Sequence, residues 1–187
     1  SSDSLENWHG ILRYEFDAFV TKQDFNDTYV ECMVSALNRG GQRHILCCLL
    51  LLPPRYLPAF EACVRDGNSS GIMCSYNAVT ATKEDGQDPL FKNVPACAND
   101  WLLNETLRVS WRFDGYVTSD CGAIANECQP EPQGHGVYNC TEATARSIIA
   151  GTDVNCGGEY NNEIVNAVKA GILTQNQVDT SFSRLTT

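Results

Sequence analysis

One carboxylate stands where an apolar strand ends. In the stretch Phe113-Asp114-Gly115-Tyr116-Val117-Thr118-Ser119-Asp120-Cys121-Gly122, Tyr116 and Val117 favour extended backbone and Asp114-Gly115 signals a turn before them. Gly122 breaks the chain after Asp120. An acid at the tip of a buried strand adds little to packing, but in barrels of parallel strands the carboxyl ends carry the active site. On residue type alone, a carboxylate that caps the next helix is an equally good reading of Asp120.

The 187 residues allow one domain with a sizeable core, and the formal charge of −10 argues against nucleic acid or an anionic membrane as partner. Ten cysteines are many for a reducing compartment. There is no C-x-x-C, and His9, His44 and His135 are scattered, so neither a zinc site nor another metal or cofactor is expected. Sequons at Asn26, Asn68, Asn104 and Asn139 join the cysteines in favouring a secreted, extracellular or vacuolar route. No signal peptide is visible at Ser1, which reads as a processed or cut start. The apolar run Ile45 to Leu52 stops at Pro53-Pro54, far short of the roughly 20 residues of a membrane span.

Around Asp120 the chain alternates. Residues 16–29 read as loop and the start of a helix, with Thr21 and Asp24 resembling a capping box. Block 30–57 keeps neither the helical nor the strand period. Residues 56–65 form a short amphipathic helix, and Gly71 to Asn77 a strand. Residues 80–92 read as a long surface loop. Asn99-Asp100 cap a helix in which Leu103, Leu107 and Trp111 recur every fourth residue. After Asp120, residues 123–139 read as loop, and Thr141 caps a helix burying Ala145, Ile148 and Ile149. Thr152 to Gly158 is a short strand running into glycines. Tyr160, Ile164, Val165 and Val168 mark a helix that stops at Gly171. Thr174 and Gln177 box the last helix, with Val178, Phe182 and Leu185 facing inward. This order implies an α/β fold with parallel strands covered by helices, and about three visible strands cannot close a barrel of eight.

Six blocks then resemble glycoside hydrolase family 3, in its β-xylosidase-like branch: FDAFVTKQDFNDTY (16–29), PAFEACVRDG (58–67), GIMCSYNAV (71–79), VPACANDWLLNETLR (94–108), WRFDGYVTSDCGAI (111–124) and AGTDVNCG (150–157). The resemblance implies the C-terminal part of a TIM-type (β/α)8 barrel, a partial N-terminal catalytic domain across 1–187. It implies retaining, exo-acting hydrolysis of β-linked sugars, of β-xylosidase or α-L-arabinofuranosidase type, with a xylooligosaccharide-like substrate. Two carboxyl groups do this chemistry, one attacking the anomeric carbon and one protonating the leaving oxygen.

By the family's S-D-C motif the nucleophile is Asp120. The resemblance places Tyr76, of C-S-Y-N, beside it, and gives Met73 a place in the sugar subsite with core packing as an equal reading. Cys121 stands where many family β-glucosidases carry Trp, and the resemblance implies a Cys121–Cys156 disulfide that makes a compact wall suited to pentoses. Cys74–Cys97 is a further candidate pair, and Cys128–Cys140 would close a loop on spacing alone. Asp153 reads as a structural cap of backbone amides.

The family's sugar-gripping Lys-His pair belongs upstream of Leu5, and its acid/base Glu belongs to a second domain. Glu105, within a predicted helix, and Glu127, in a predicted loop, are poor substitutes. Blocks 30–57 and 80–93 separate segments contiguous in the family and are expected to be insertions or unspliced coding sequence. The chain alone is therefore expected to show little turnover, and its partners would be the missing remainder of the barrel and the second domain. The alternative is a non-catalytic or vestigial carbohydrate-binding protein.

Overall fold

The strand that ends at Asp120 pairs with the strand that follows the first amphipathic helix. A computed structural model describes residues 17–21, 35–36, 45–46, 56–82, 89–130 and 134–186. Their order is β1 (Asp17–Thr21), β2 (Ser35–Ala36), β3 (Ile45–Leu46), α1 (Tyr56–Arg65), β4 (Gly71–Cys74), β5 (Ala78–Thr82), β6 (Pro89–Pro95), α2 (Trp101–Ser110), β7 (Tyr116–Ser119), α3 (Ala123–Cys128), α4 (Cys140–Ala150), α5 (Glu159–Lys169) and α6 (Gln175–Leu185). β4 and β7 run parallel, from Gly71 opposite Tyr116 to Cys74 opposite Ser119. Val154 adds a third parallel segment through its bridge to Thr118. The approach into β7 demands glycine, because a Cβ on Gly115 would sit 2.2 Å from the Ser70 carbonyl oxygen.

Alternation sorts this sheet into two faces. Ile72 and Val117, opposite each other in the register, are buried with Leu57 and Val64 of α1 and with Leu102, Leu103 and Leu107 of α2. Met73 and Thr118, one residue on, are only half-buried on the other face. The predicted spacing of Leu103, Leu107 and Trp111 holds, since all three are buried. Asn99 satisfies the start of α2, its Oδ1 accepting from the Leu102 amide at 3.1 Å. The helix is wound wide, and the Trp111 amide reaches back five residues to the Thr106 carbonyl. A second apolar cluster joins Ala145 and Ile148 of α4 to Ala167 and Leu173, with Ile164, Val168 and Val178 against it. The predicted capping box of α6 is present in both directions between Thr174 and Gln177.

The fold departs from the sequence reading in several places, among them the cap of α4, which is Asn139 and not Thr141. Residues 17–21, read as loop, form β1, parallel to β5 from Asp17 opposite Ala78 to Thr21 opposite Thr82. Residues 80–92, read as a surface loop, contribute strand residues to β5 and β6, which pair antiparallel with Ala81 opposite Phe91. Ala78 and Ala81 are fully buried there, and such small residues carry no periodic apolar signal. Residues 123–128, read as loop, are α3. Phe182 and Leu185 face solvent at 66% and 41% exposure, and Ser181 takes the inner position instead. Val165 and Ile149 are likewise exposed. Within block 30–57, β2 and β3 pair antiparallel at Ser35 opposite Leu46, and most of the rest lies outside the described residues, as do Asp24 and Asn26.

Candidate active site

Asp120 is the first residue past β7, and the ladder extends to it, because its amide donates to the Cys74 carbonyl at 2.9 Å. On the other side the Ser119 amide donates to the Val154 carbonyl at 2.8 Å. Three chain segments therefore end side by side, at Ser75-Tyr76, Asp120-Cys121 and Asn155-Cys156. By parity Asp120 shares the face of Met73 and Thr118, away from α1 and α2. Gly122 then turns the chain into α3 at φ +82, a conformation that a side chain would strain.

The Asp120 side chain is half-buried, and its Oδ1 accepts from the Cys121 amide at 2.7 Å. It does not cap α3, which has no side-chain cap at its N-terminus. Among the described residues no basic group pairs with Asp120, and only Oδ1 of its carboxylate accepts a hydrogen bond.

Tyr76 is tied to the same turn. Its hydroxyl donates to the Cys121 carbonyl, while its own carbonyl meets His135 Nε2 at 2.9 Å and accepts from Asn126 Nδ2 at 3.4 Å. His135 and Asn126 are site-supporting residues that sequence reasoning missed, because they come from α3 and the loop after it, both read as one featureless stretch. Met73 is half-buried and outside the apolar clusters.

Cys121 is bonded to Cys156, and the join is reinforced by the Gly122 amide donating to the Cys156 carbonyl at 2.7 Å and the Cys156 amide donating to Ser119 Oγ at 2.9 Å. Cys74 pairs with Cys97, tying β4 to the turn before α2, and Cys128 with Cys140, tying α3 to α4. Cys63 is also disulfide-bonded.

Behind β7 lies Asp153. Its Oδ2 accepts from the Val117 amide at 2.8 Å and from Arg108 Nη2 at 2.6 Å, and its Oδ1 from Arg184 Nη1 at 2.9 Å. Burial lowers the pKa of the Arg108 guanidinium, against the pull of Asp153. Neither alternative carboxyl group joins Asp120. Glu105 is exposed on α2. Glu127 lies in α3, not in a loop, 1% exposed and bonded to Ser147 Oγ on α4 at 3.3 Å. Burial raises its pKa well above the ordinary carboxyl range, the Ser147 hydroxyl opposing and the Glu159 charge adding to the rise. Among the described residues no group of three or more His, Cys, Asp or Glu is arranged to hold a metal ion. No helix among them is long and apolar enough to cross a membrane.

Comparison with known proteins follows the same geometry. Residues 51–187 match the glycosyl hydrolase family 3 N-terminal domain. The chain is 36% identical over 181 residues to "Probable beta-D-xylosidase 6" of Arabidopsis thaliana, covering 97% of this chain and 17% of that protein. It is 31% identical over 175 residues to "Beta-xylosidase/alpha-L-arabinofuranosidase 2" of Medicago sativa subsp. varia, covering 94% and 17%. Among solved structures, the exo-β-xylosidase XlnD of the same family, in complex with a xylobiose aziridine probe, superposes with a TM-score of 0.68 at 29% identity, covering 95% of this chain and 18% of that one. A β-glucosidase from Listeria innocua in complex with glucose gives 0.56 at 31% identity, covering 70% and 16%. The chain thus spans less than a fifth of the length of the relatives it matches. With the parallel strand ends and the match over residues 51–187, the chain belongs to glycosyl hydrolase family 3, by its N-terminal domain.

Proposed function

We propose that this chain is the nucleophile-bearing portion of a retaining, exo-acting β-glycosidase of the β-xylosidase or α-L-arabinofuranosidase type. The observation that carries this reading is Asp120 itself, a half-buried carboxylate at the end of parallel strands, unspent on a helix cap and open on one oxygen. The free oxygen attacks the anomeric carbon and forms a glycosyl-enzyme, as the sugar's leaving oxygen takes a proton from a second carboxylic acid about 5–5.5 Å away. Tyr76 holds the Asp120-Cys121 turn by its hydroxyl, Met73 lines the sugar subsite, and the Cys121–Cys156 wall narrows it.

Among the described residues neither Glu127, sealed against Ser147, nor Glu105, out in solvent, is placed to be the acid/base group, and we assign that role to a carboxyl group of a second domain. The parallel strand ends belong to a TIM-type barrel completed by further strands, and blocks 30–57 and 80–93 are insertions relative to its usual course. The disulfides favour a secreted protein, and the xylosidase relatives support xylan-derived oligosaccharides as its substrate.

The test is trapping with a 2-fluoro-β-xyloside bearing a good leaving group, which lessens the need for the acid. The longer protein that contains this chain should be labelled on Asp120, and Asp120→Asn should abolish labelling. A label on another side chain would overturn the assignment. Because no second carboxyl group accompanies Asp120 among the described residues, a binding-only role is the competing reading. It predicts xylooligosaccharide binding with no burst of aryl release.

A further inference from the structure

An oxidising compartment, which the disulfides of this chain require, is also where sequons meet N-glycosylation. Three of the four sequons fall in described residues, and their surroundings differ. Asn104, on α2, spends both amide hydrogens, one on Asp100 Oδ1 at 2.6 Å and one on the Ile149 carbonyl at 3.0 Å. Its Oδ1 also lies 3.1 Å from where a Cβ on Gly151 would stand. A sugar on Nδ2 would break one of those bonds and wedge α2 from α4. Asn68 is exposed in the turn after α1.

Asn139 is exposed and caps α4 with its oxygen, Oδ1 accepting from the Glu142 amide at 2.9 Å, while Nδ2 is left over. Asn139 also lines a groove of about 630 Å³ whose other walls include Asp100, Arg146, Ile149 and Ile172. Ile149, on α4, and Ile172, in the turn after α5, are 41% and 44% exposed there.

The geometry points to Asn139 as an N-glycosylation site whose first sugars lie along that groove, with Asn104 left bare. The donor is an oligosaccharide on a polyisoprenyl pyrophosphate. Nδ2 bonds to the anomeric carbon of the first N-acetylglucosamine, the bond from that carbon to the pyrophosphate oxygen breaks, the lipid pyrophosphate leaves, and one amide proton is released. The product amide keeps its carbonyl, so the cap of α4 survives. The apolar faces of the sugar rings then cover Ile149 and Ile172, and their hydroxyls face Asp100 and Arg146.

The test is secretion of the full chain from a eukaryotic host, followed by glycopeptide mass spectrometry. Asn139 should be modified and Asn104 unmodified in the secreted, disulfide-bonded protein, with Asn68 as the internal standard. An unmodified Asn139, or a modified Asn104 in folded protein, would overturn the assignment. Asn139→Asp removes the sequon and keeps a capping oxygen. It should lose one glycan, keep its helical circular dichroism, and raise binding of an apolar fluorescent dye several-fold, whereas Asn68→Gln loses a glycan without the dye signal. Equal dye binding by the Asn139→Asp and unmutated proteins would remove the glycan from the groove.

Discussion

The Asp153 carboxylate receives the Val117 amide at 2.8 Å, three residues before Asp120, and holds Arg108 and Arg184 at the same time. One buried charge thus locks β7 to α2 and to α6. Asp153→Asn would keep the shape and lose the charge, leaving Arg108, with a side chain 10% exposed, beside an amide. Removing one partner of a buried ion pair costs about 3–5 kcal/mol. Urea unfolding of Asp153→Asn should show a loss of that size, and a loss below about 1 kcal/mol would mean that the triad holds nothing.

The disulfides should rank by the length of chain they close. Cys121–Cys156 spans 35 residues and Cys128–Cys140 spans 12. Chain-entropy arithmetic gives roughly 4 and 3 kcal/mol respectively. Alanine pairs at 121/156 and at 128/140 should therefore both lower the urea midpoint, the first pair further. The reverse order would indicate that the tie between α3 and α4 matters more than the one at the strand ends.

Glu127 makes stability depend on pH in a direction that can be worked out. Its folded pKa is raised by burial, with Ser147 opposing the rise and Glu159 adding to it. Unfolded, it titrates near the ordinary value of about 4.3. Its contribution is complete below that value and is lost as pH climbs toward the folded pKa, because only the unfolded chain gives up the proton. Glu127→Gln keeps a neutral partner for Ser147. Its melting temperature should gain on that of the unmutated chain as pH rises from 5 to 8, and a constant difference would show that Glu127 is charged when folded.

Core and surface leucine-sized positions should separate cleanly. Leu103 is 1% exposed, and Leu103→Ala should cost about 2–5 kcal/mol. Phe182 is 66% exposed, and Phe182→Ser should change stability by no more than about 0.5 kcal/mol. A large loss at Phe182 would restore the inward face that its spacing with Val178 implies.

The helices were legible where the chain marks its own ends. Thr174 and Gln177 bond to each other across three residues, so the start of α6 is written in a single turn. The α2 stripe of Leu103 and Leu107 is equally local. The inner face of α6 was not legible, because which side of a helix meets its neighbour depends on how α5 and α4 are already packed. β5 was missed for a related reason: Ala78 and Ala81 are buried by a partner 61 residues earlier in the chain, at the Asp17–Ala78 register, and alanine announces nothing on its own.

For the site, the sequence by itself determined the chemistry available. An acid follows Ser119 at the end of an apolar strand, and a cysteine follows the acid. Tertiary structure decided what surrounds them. Asn126 and His135 reach the Tyr76 carbonyl across 50 and 59 residues, and Arg184 reaches Asp153 across 31. Residue type sets what a group can donate, accept or ionise, whereas the distance at which it does so is a property of the packed chain.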